Sequence, residues 1–362
     1  MPFTIDGSQA LEDRIAQDLF EIREAVLARV GEGDLSGLIL GGGYGRGEGG
    51  VFLVDSQERV YNDYDFFVIV PYSSRSRRKA LMEALSEVKA AMEPRCGIHV
   101  DFSPAMPQVS LATLPYEVMY MELKEGHHVV IGSNDILATM PTYDKAHPPL
   151  EECARLFMNR GVGLLLARQK LEMGKPLDLV DHEFVVRNIR KAQLAMGDAL
   201  LFLKGCYSSS YLERQALFRS LDLEEVPDGE ILSQYYEEAL EFKLRPNHDG
   251  PTGDALGVWR DEVTRFYGRI FLWFEQYRLS DPGLSWESYQ QRTRRLTSPG
   301  VQESVTNVLR NFRIKTSHYP PVRELFLHPR DRVLAHLPML LFGNVRDQRI
   351  TADVLRLWEY CG

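Results

Sequence analysis

Three aspartates with strand-like neighbours are the residues of this 362-residue chain that could do chemistry together. Asp63 and Asp65 open the run DYDFFVIV, and Asp101 stands near the end of the run HVDF. On a strand, residues two apart point to the same face, so Asp63 and Asp65 converge, and a neighbouring strand would bring Asp101 beside them. Three carboxylates at one point repel each other unless a cation lies between them. Hard oxygen ligands favour Mg²⁺ over zinc.

A glycine-rich run precedes the paired acids. Residues 41–50 read GGGYGRGEGG and follow the short apolar segment Leu38-Ile39-Leu40. Glycines allow a sharp turn and a close approach of the backbone to a ligand. We therefore expect the turn at Gly42 and Gly43 to offer backbone N–H groups to phosphates, with Arg46 as a neighbouring cationic side chain.

The elements that must position these groups alternate between helix and strand. Apolar residues at three- and four-residue steps predict a helix over 10–30, and a second helix is predicted over 76–93. Aromatic and β-branched runs predict the strands 38–40, 63–70 and 97–102, and a hairpin is predicted between 52 and 61. The sequence thus predicts an α/β (α+β) domain around a small mixed sheet.

The secondary-structure pattern of the sequence changes after residue 145, from mixed helix and strand to mainly helix. Pro141, Pro148 and Pro149 form a cluster of helix breakers, and long helical patterns follow with little strand signal. We predict an α/β domain over 1–145, an α-helical domain over 146–280, and a C-terminal helical extension or small subdomain over 281–362.

The order of strand, glycine turn, paired-acid strand and third-acid strand resembles the DNA polymerase β-type nucleotidyltransferases. The segment Gly42-Gly43-Tyr44-Gly45-Arg46-Gly47-Glu48 resembles the glycine turn of that superfamily, Asp63-Tyr64-Asp65 its paired acids, and Asp101 its third acid. The resemblance covers roughly residues 10–105. Twenty positions separate Gly43 from Asp63, a longer gap than usual, which predicts an inserted hairpin at about 51–61.

The resemblance implies an Mg²⁺-dependent nucleotidyltransferase that uses a nucleoside triphosphate (NTP) as its substrate. Asp63 and Asp65 would hold two Mg²⁺ ions, Asp101 would join the second ion and help deprotonate an acceptor hydroxyl, and pyrophosphate would leave. Gly42 and Gly43 would grip the β- and γ-phosphates. In the superfamily a following helical domain lends a Lys or Arg to the triphosphate and a polar or aromatic residue near the base; we assign Lys191 and Tyr207 to the nucleotide on that ground.

Other patterns carry weaker signals. Gly45, Gly47 and Gly50 match the spacing of a dinucleotide-binding fingerprint, but the strand-like Val51–Val54 follows where that motif needs a helix. His127 and His128 are adjacent, so on a strand they point to opposite faces and make a poor joint metal site. The four cysteines lie far apart without a CxxC spacing, so we expect reduced packing residues.

Charge and hydropathy limit the partners. The formal net charge of −9 disfavours a long polynucleotide, although residues 292–332 carry nine basic and three acidic side chains. The sequence has no apolar run that could span a membrane and no signal-like N-terminus, so we expect a cytoplasmic protein.

The acceptor is expected to be a small molecule or a protein. Two alternatives remain: a catalytically silent nucleotide-binding module on the same fold, and an RNA 3′-end nucleotidyltransferase that grips RNA through the basic stretch.

Overall fold

The computed structural model describes residues 2–31, 33–173, 176–247, 250–291, 296, 301–314, 316, 322–343 and 347–361. The chain divides into two compact units. The first contains residues 1–148, 207–217 and 240–247, and the second contains residues 149–206, 218–239 and 248–362. The first unit is mixed α/β and the second is helical.

The first unit is built around a mixed sheet. Its strands are β1 (Gly37–Leu40), β4 (Asp63–Val70), β5 (His99–Phe102), β6 (Met106–Pro107) and β7 (His128–Ile131). β4 is antiparallel to β1 on one side and parallel to β5 and β6 on the other, and β1 is antiparallel to β7. The order β5-β4-β1-β7 leaves β5 as an edge strand. The small mixed sheet predicted from the sequence is confirmed.

Side-chain alternation along β4 gives the sheet two apolar faces. Tyr64, Phe66 and Val68 pack with the helices α1 (Gln9–Leu27) and α3 (Arg75–Cys96). Phe67 and Ile69 face the other way and pack with Leu123 of α4 (Val118–Glu125) and with residues of the 136–140 segment. Asp63 and Asp65 have the same parity as Phe67 and Ile69, so they lie on the face that α4 covers.

Local signals account for the ends of these elements. The hydroxyl of Ser8 caps α1 by accepting a hydrogen bond from the backbone N–H of Leu11, 3.3 Å away. Gly97 ends α3 in the left-handed conformation, with φ +76°. The predicted hairpin is present as β2 (Val51–Val54) and β3 (Gln57–Val60), a separate two-stranded sheet. Its turn residues Asp55 and Ser56 both have positive φ, as a type I′ turn requires.

The second unit is formed by long helices and shorter ones that follow them. Its helices, including α7 and α8, which each contribute residues to both units, are α5 (Leu150–Glu172), α6 (Leu179–Leu203), α7 (Tyr211–Arg219), α8 (Gly229–Leu244), α9 (Asp254–Arg278), α10 (Trp286–Gln291), α11 (Val301–Arg313), α12 (Val322–Leu325), α13 (Pro329–Phe342) and α14 (Gln348–Cys361). Its core contains a parallel stack of Phe157 on Phe271, with ring centroids 4.6 Å apart.

The predicted domain bounds stay a prediction, and two groupings of segments bear on them. Residues 207–217 and 240–247 belong to the first unit, although they lie inside the predicted helical domain. Residues 281–362 are grouped with the second unit, because Trp286 stacks on Phe342 and meets Phe271 edge-on.

Candidate functional site

Asp63, Asp65 and Asp101 come together on one face of the sheet. β4 and β5 run parallel, with Asp65 opposite Asp101, so these two side chains point the same way. Asp63 joins them from two residues earlier on β4. One carboxylate oxygen from each residue lies within 4.8 Å of the other two. Asp63 and Asp65 are half-buried and the side chain of Asp101 is 50% exposed. The convergence predicted from the strand pattern is present.

The glycine turn lies directly against Asp65. The N–H of Gly41 donates to the carbonyl oxygen of Asp65 at 2.8 Å. Gly42 has φ +62°, and a Cβ atom there would lie 2.6 Å from Oδ2 of Asp65. Gly43 follows at the start of the short helix α2 (Gly42–Arg46), where a Cβ atom would lie 2.9 Å from the carbonyl oxygen of Glu48. Only glycine fits at Gly42 while Asp65 keeps its position.

Tyr44 ties the turn to the inserted hairpin. Its hydroxyl donates to the carbonyl oxygen of Gly50 at 2.8 Å and accepts from the N–H of Tyr61 at 2.6 Å. Burial raises the pKa of this phenol well above its usual value, so the hydroxyl keeps its proton. Tyr44 thereby connects the glycine turn to the residues on both sides of the hairpin.

A lysine neutralises the third acid. Lys89 of α3 forms an ion pair with Oδ1 of Asp101, and its Nζ lies 3.7 Å from Oε1 of Glu93, one turn further along the helix. The hydrogen bond to Asp101 is the main cause of a raised pKa at Lys89. Glu93 in turn accepts from the backbone N–H of Val100 at 3.1 Å. Lys89 and Glu93 were not identified from the sequence, because only the tertiary packing of α3 on β5 brings them to Asp101.

A second cluster of charges lies behind the glycine turn, around Glu122 of α4. Arg46 approaches this carboxylate at 3.2 Å, Arg214 forms an ion pair with it, and the hydroxyl of Tyr207 donates to it at 2.8 Å. The side chains of Arg46 and Arg214 are only 6% and 2% exposed. Burial raises the pKa of Glu122, but the two guanidinium groups and the Tyr207 hydroxyl outweigh it, so the pKa is lowered overall.

Glu48, at the end of the glycine-rich run, completes this second cluster. Its buried carboxylate accepts from the hydroxyl of Ser210 at 2.6 Å and from the N–H of Tyr211, the first residue of α7, at 2.8 Å. An acidic side chain at a helix N-terminus is favourable because it meets free N–H groups and the positive end of the helix dipole. Arg46 and Glu48 thus hold the segment 207–217 in the first unit.

The predicted nucleotide-binding residues fall in different places. Gly42 and Gly43 lie beside the acids, as expected. Arg46 and Tyr207 are directed to Glu122 and are nearly covered, which leaves little of either side chain for a ligand; their nucleotide contacts stay predictions, and the structure gives them a role in holding the turn. Lys191 is half-buried on α6 in the second unit, and its contact with a triphosphate also stays a prediction.

Two arginines on the same helix as Lys191, Arg187 and Arg190, are partly neutralised by acidic neighbours. Arg187 lies 3.5 Å from Glu183, and Arg190 pairs with Glu238 at 2.6 Å while it covers the ring of Trp259.

The basic stretch over 292–332 is described only in part. Four of its basic residues lie outside the described residues: Arg292, Arg294, Arg295 and Lys315. Arg332 is buried and bonded to Asn311 at 2.8 Å.

The donor set of the three acids fits a hard divalent cation. All three ligands are carboxylates, and oxygens that lie within 4.8 Å of one another need only a small inward movement to share an ion at the 2.0–2.6 Å typical of Mg²⁺ and Ca²⁺. Within the described parts of the chain, this is the group of acidic, His or Cys side chains that brings three possible ligands this close.

Comparisons with protein-family models, with curated proteins and with solved structures give no match for this chain. Among the described helices, none is both long and apolar enough to cross a membrane.

The four cysteines are free thiols, and burial raises the pKa of each, which disfavours the reactive thiolate.

Proposed function

We propose that this chain is an Mg²⁺-dependent nucleotidyltransferase that moves a nucleoside monophosphate from an NTP to a hydroxyl group. The observation that carries the proposal is the convergence of Asp63, Asp65 and Asp101 beside a glycine turn that is hydrogen-bonded to Asp65. Asp63 and Asp65 are half-buried, and three converging carboxylates repel one another unless cations neutralise them. The adjacent turn is suited to the phosphates that accompany Mg²⁺ in such sites.

In this proposal the residues of the site divide between metal binding, phosphate binding and proton transfer. Asp63, Asp65 and Asp101 would hold the metal, which would neutralise phosphate charge and stabilise the transition state of phosphoryl transfer. The first N–H groups of α2, at Gly42 and Gly43, have no acceptor within their own helix and bind phosphate oxygens. Asp101 is the most exposed of the three acids, and besides holding the metal it helps to deprotonate the acceptor hydroxyl.

The reaction balances without a further reactant. The acceptor oxygen forms a bond to the α-phosphorus, the bond from that phosphorus to the bridging oxygen breaks, and pyrophosphate leaves with the negative charge. The hydroxyl proton passes to Asp101. A small-molecule or protein hydroxyl is the proposed acceptor.

The experiment that tests this function combines binding with transfer. Mg²⁺ and ATP, GTP, CTP or UTP together should raise the melting temperature by mass action, and label from an α-³²P NTP should appear on an acceptor. Asp65→Asn should abolish both effects while the free protein stays as stable or becomes slightly more so, because the change relieves carboxylate repulsion. Asp13→Asn, on the exposed face of α1, is the matched control and should behave as wild type.

The outcomes separate the alternatives. Metal-dependent nucleotide binding without any transfer would favour the catalytically silent module. A wild-type protein that binds neither Mg²⁺ nor NTP would refute the proposed function, and an Asp65→Asn protein that unfolds would assign the acid a structural role.

A further inference from the structure

Lys89 already pairs with one of the three acids that would hold a metal. Its ammonium is paired with Asp101, and this pair lies at the edge of the sheet, where α3 meets β5. The side chain of Lys89 is 38% exposed, so it can move without disturbing the core. A single ammonium and a divalent cation cannot both bind one carboxylate closely without repelling each other.

Glu93 offers Lys89 an alternative partner. Its Oε1 lies 3.7 Å from Nζ of Lys89, at the i+4 position that suits an ion pair on a helix. The same oxygen accepts from the N–H of Val100 at 3.1 Å and lies 3.2 Å from Nδ1 of His99, and both contacts anchor Glu93 to the strand that carries Asp101. A rotation of the flexible lysine side chain is enough to transfer its ammonium from Asp101 to Glu93.

We propose that Lys89 is the built-in counter-cation of the three-acid site, and that a divalent metal takes Asp101 in exchange for the ammonium, which moves to Glu93. This inference rests on the proposed metal-binding function and deepens it. Without metal, Lys89 reduces the repulsion among the three carboxylates. With metal, it competes for Asp101, so the protein binds the ion more weakly than three free acids would.

The proposal predicts opposite effects for two neighbouring substitutions. Lys89→Met removes the competitor, and metal should bind about two- to fivefold more tightly, the range expected for a partly exposed ion pair. Lys89→Arg keeps the charge and should bind as wild type. Glu93→Gln keeps the acceptor for Val100 but removes the second partner of the ammonium, so metal should bind more weakly than in wild type. In the double variant Lys89→Met/Glu93→Gln, the Glu93 substitution should have no further effect.

The measurement uses Mn²⁺ as a spectroscopic probe for the divalent ion. Titration of the full-length protein with Mn²⁺, followed by the electron paramagnetic resonance signal of the free ion, gives the dissociation constant without any turnover. Melting temperatures of the metal-free variants show that each is folded, and Lys89→Met should melt at a slightly lower temperature than wild type because the acids lose their counter-charge.

The results distinguish this inference from the proposed function. If wild type binds Mn²⁺ and Asp65→Asn does not, the metal site stands; unchanged or weaker Mn²⁺ binding by Lys89→Met then overturns the cation exchange alone. If wild type binds no Mn²⁺, both the metal site and the exchange are refuted. An effect of Glu93→Gln that persists in the double variant would also overturn the exchange.

Discussion

At the scale of single residues, the position of Asp65 depends on the backbone that faces it. The turn approaches Asp65 at two points. The N–H of Gly41 donates to the carbonyl oxygen of Asp65, and Gly42 leaves room for the carboxylate because it has no side chain. A side chain at residue 42 would therefore collide with the carboxylate of Asp65 and displace it. A methyl group at residue 42 is the smallest change that tests this arrangement.

We expect Gly42→Ala to cost more stability than Gly97→Ala. Both glycines have positive φ, a conformation that costs a residue with a Cβ about 1–2 kcal/mol, but only Gly42 has a carboxylate 2.6 Å from that Cβ, while a Cβ at Gly97 would meet open space. The difference should appear in urea unfolding. Gly42→Ala should also reduce the rise in melting temperature that Mg²⁺ and NTP produce, and Gly97→Ala should keep it. Equal costs and equal ligand effects for the two variants would contradict the close contact.

The convergence of Asp63 and Asp65 follows from strand alternation alone, whereas Lys89 and Glu122 could not be found that way. Residues i and i+2 of a strand share a face in any fold, so the convergence of the paired acids can be read from the sequence. The partners of Lys89 and Glu122 depend on how separate elements pack, and no local periodicity encodes that. Arg46 shows the same limit: its sequence position beside the turn suggested phosphate, while its contacts are with Glu122 and the ring of Tyr211.

At the scale of elements, α4 and the segment 207–217 are joined to the glycine turn by charge. Glu122 lies between two buried guanidinium groups, and Glu48 caps α7 from the far end of the turn. The sequence pattern predicts no helix over α4, because eight residues are too few to show a clear period. The longer elements are predicted well because their apolar residues repeat over several turns or a whole strand, as in α1, β4 and α3.

We expect Glu122→Gln to destabilise the protein by about 3–5 kcal/mol, the cost of leaving buried charges without their partner. Arg46 and Arg214 would then repel each other without a compensating carboxylate. Glu125→Gln on the same helix is the control, because its partner Lys145 is partly exposed and such a pair contributes about 0–1 kcal/mol. Chemical denaturation of both variants provides the comparison, and a cost for Glu122→Gln no greater than for the control would refute the anchoring role.

Asp18, on the face of α1 that packs on the sheet, makes the free energy of unfolding depend on pH. This residue is 3% exposed, accepts from the Tyr64 hydroxyl at 3.1 Å, and pairs with Arg14 at 2.9 Å. Burial raises the pKa of Asp18 and outweighs the lowering effect of Arg14. A raised pKa in the folded state means that folding favours the protonated form, so the stability that Asp18 contributes is present below its unfolded pKa and is lost as the pH rises through its folded pKa.

Asp18→Asn should therefore gain stability relative to wild type as the pH rises from about 3 towards neutrality, starting near the unfolded Asp pKa of about 3.9. Free energies of unfolding at a series of pH values provide the test. Asp13→Asn, on the exposed face of the same helix, should show no such trend in its difference from wild type. A relative stability of Asp18→Asn that falls with rising pH would show that Arg14 and Tyr64, rather than burial, dominate at this position.

At the scale of the whole molecule, the distribution of charge disfavours a long polynucleotide as the acceptor. The chain is acidic overall, at −9, yet residues 292–332 carry nine basic side chains against three acidic ones. Part of this basic stretch is occupied within the protein, because Arg332 pairs with Glu324 and Arg330 donates to the carbonyl oxygen of Cys361. A long polynucleotide would meet repulsion from the rest of the molecule.

We expect no measurable binding of single-stranded RNA at about 150 mM salt, the ionic strength at which exposed charges are screened beyond about 8 Å. If RNA binds at lower salt, its affinity should fall with a log–log slope of about −0.7 for each phosphate contact, so a few surface arginines cannot maintain it at higher ionic strength. Fluorescence anisotropy with a labelled RNA, from low to physiological salt, measures both quantities. Micromolar affinity in 150 mM salt that is lost when Arg292, Arg294 and Arg295 are changed to Glu would instead make an RNA 3′ end the preferred acceptor, because the same three acids could activate its terminal hydroxyl.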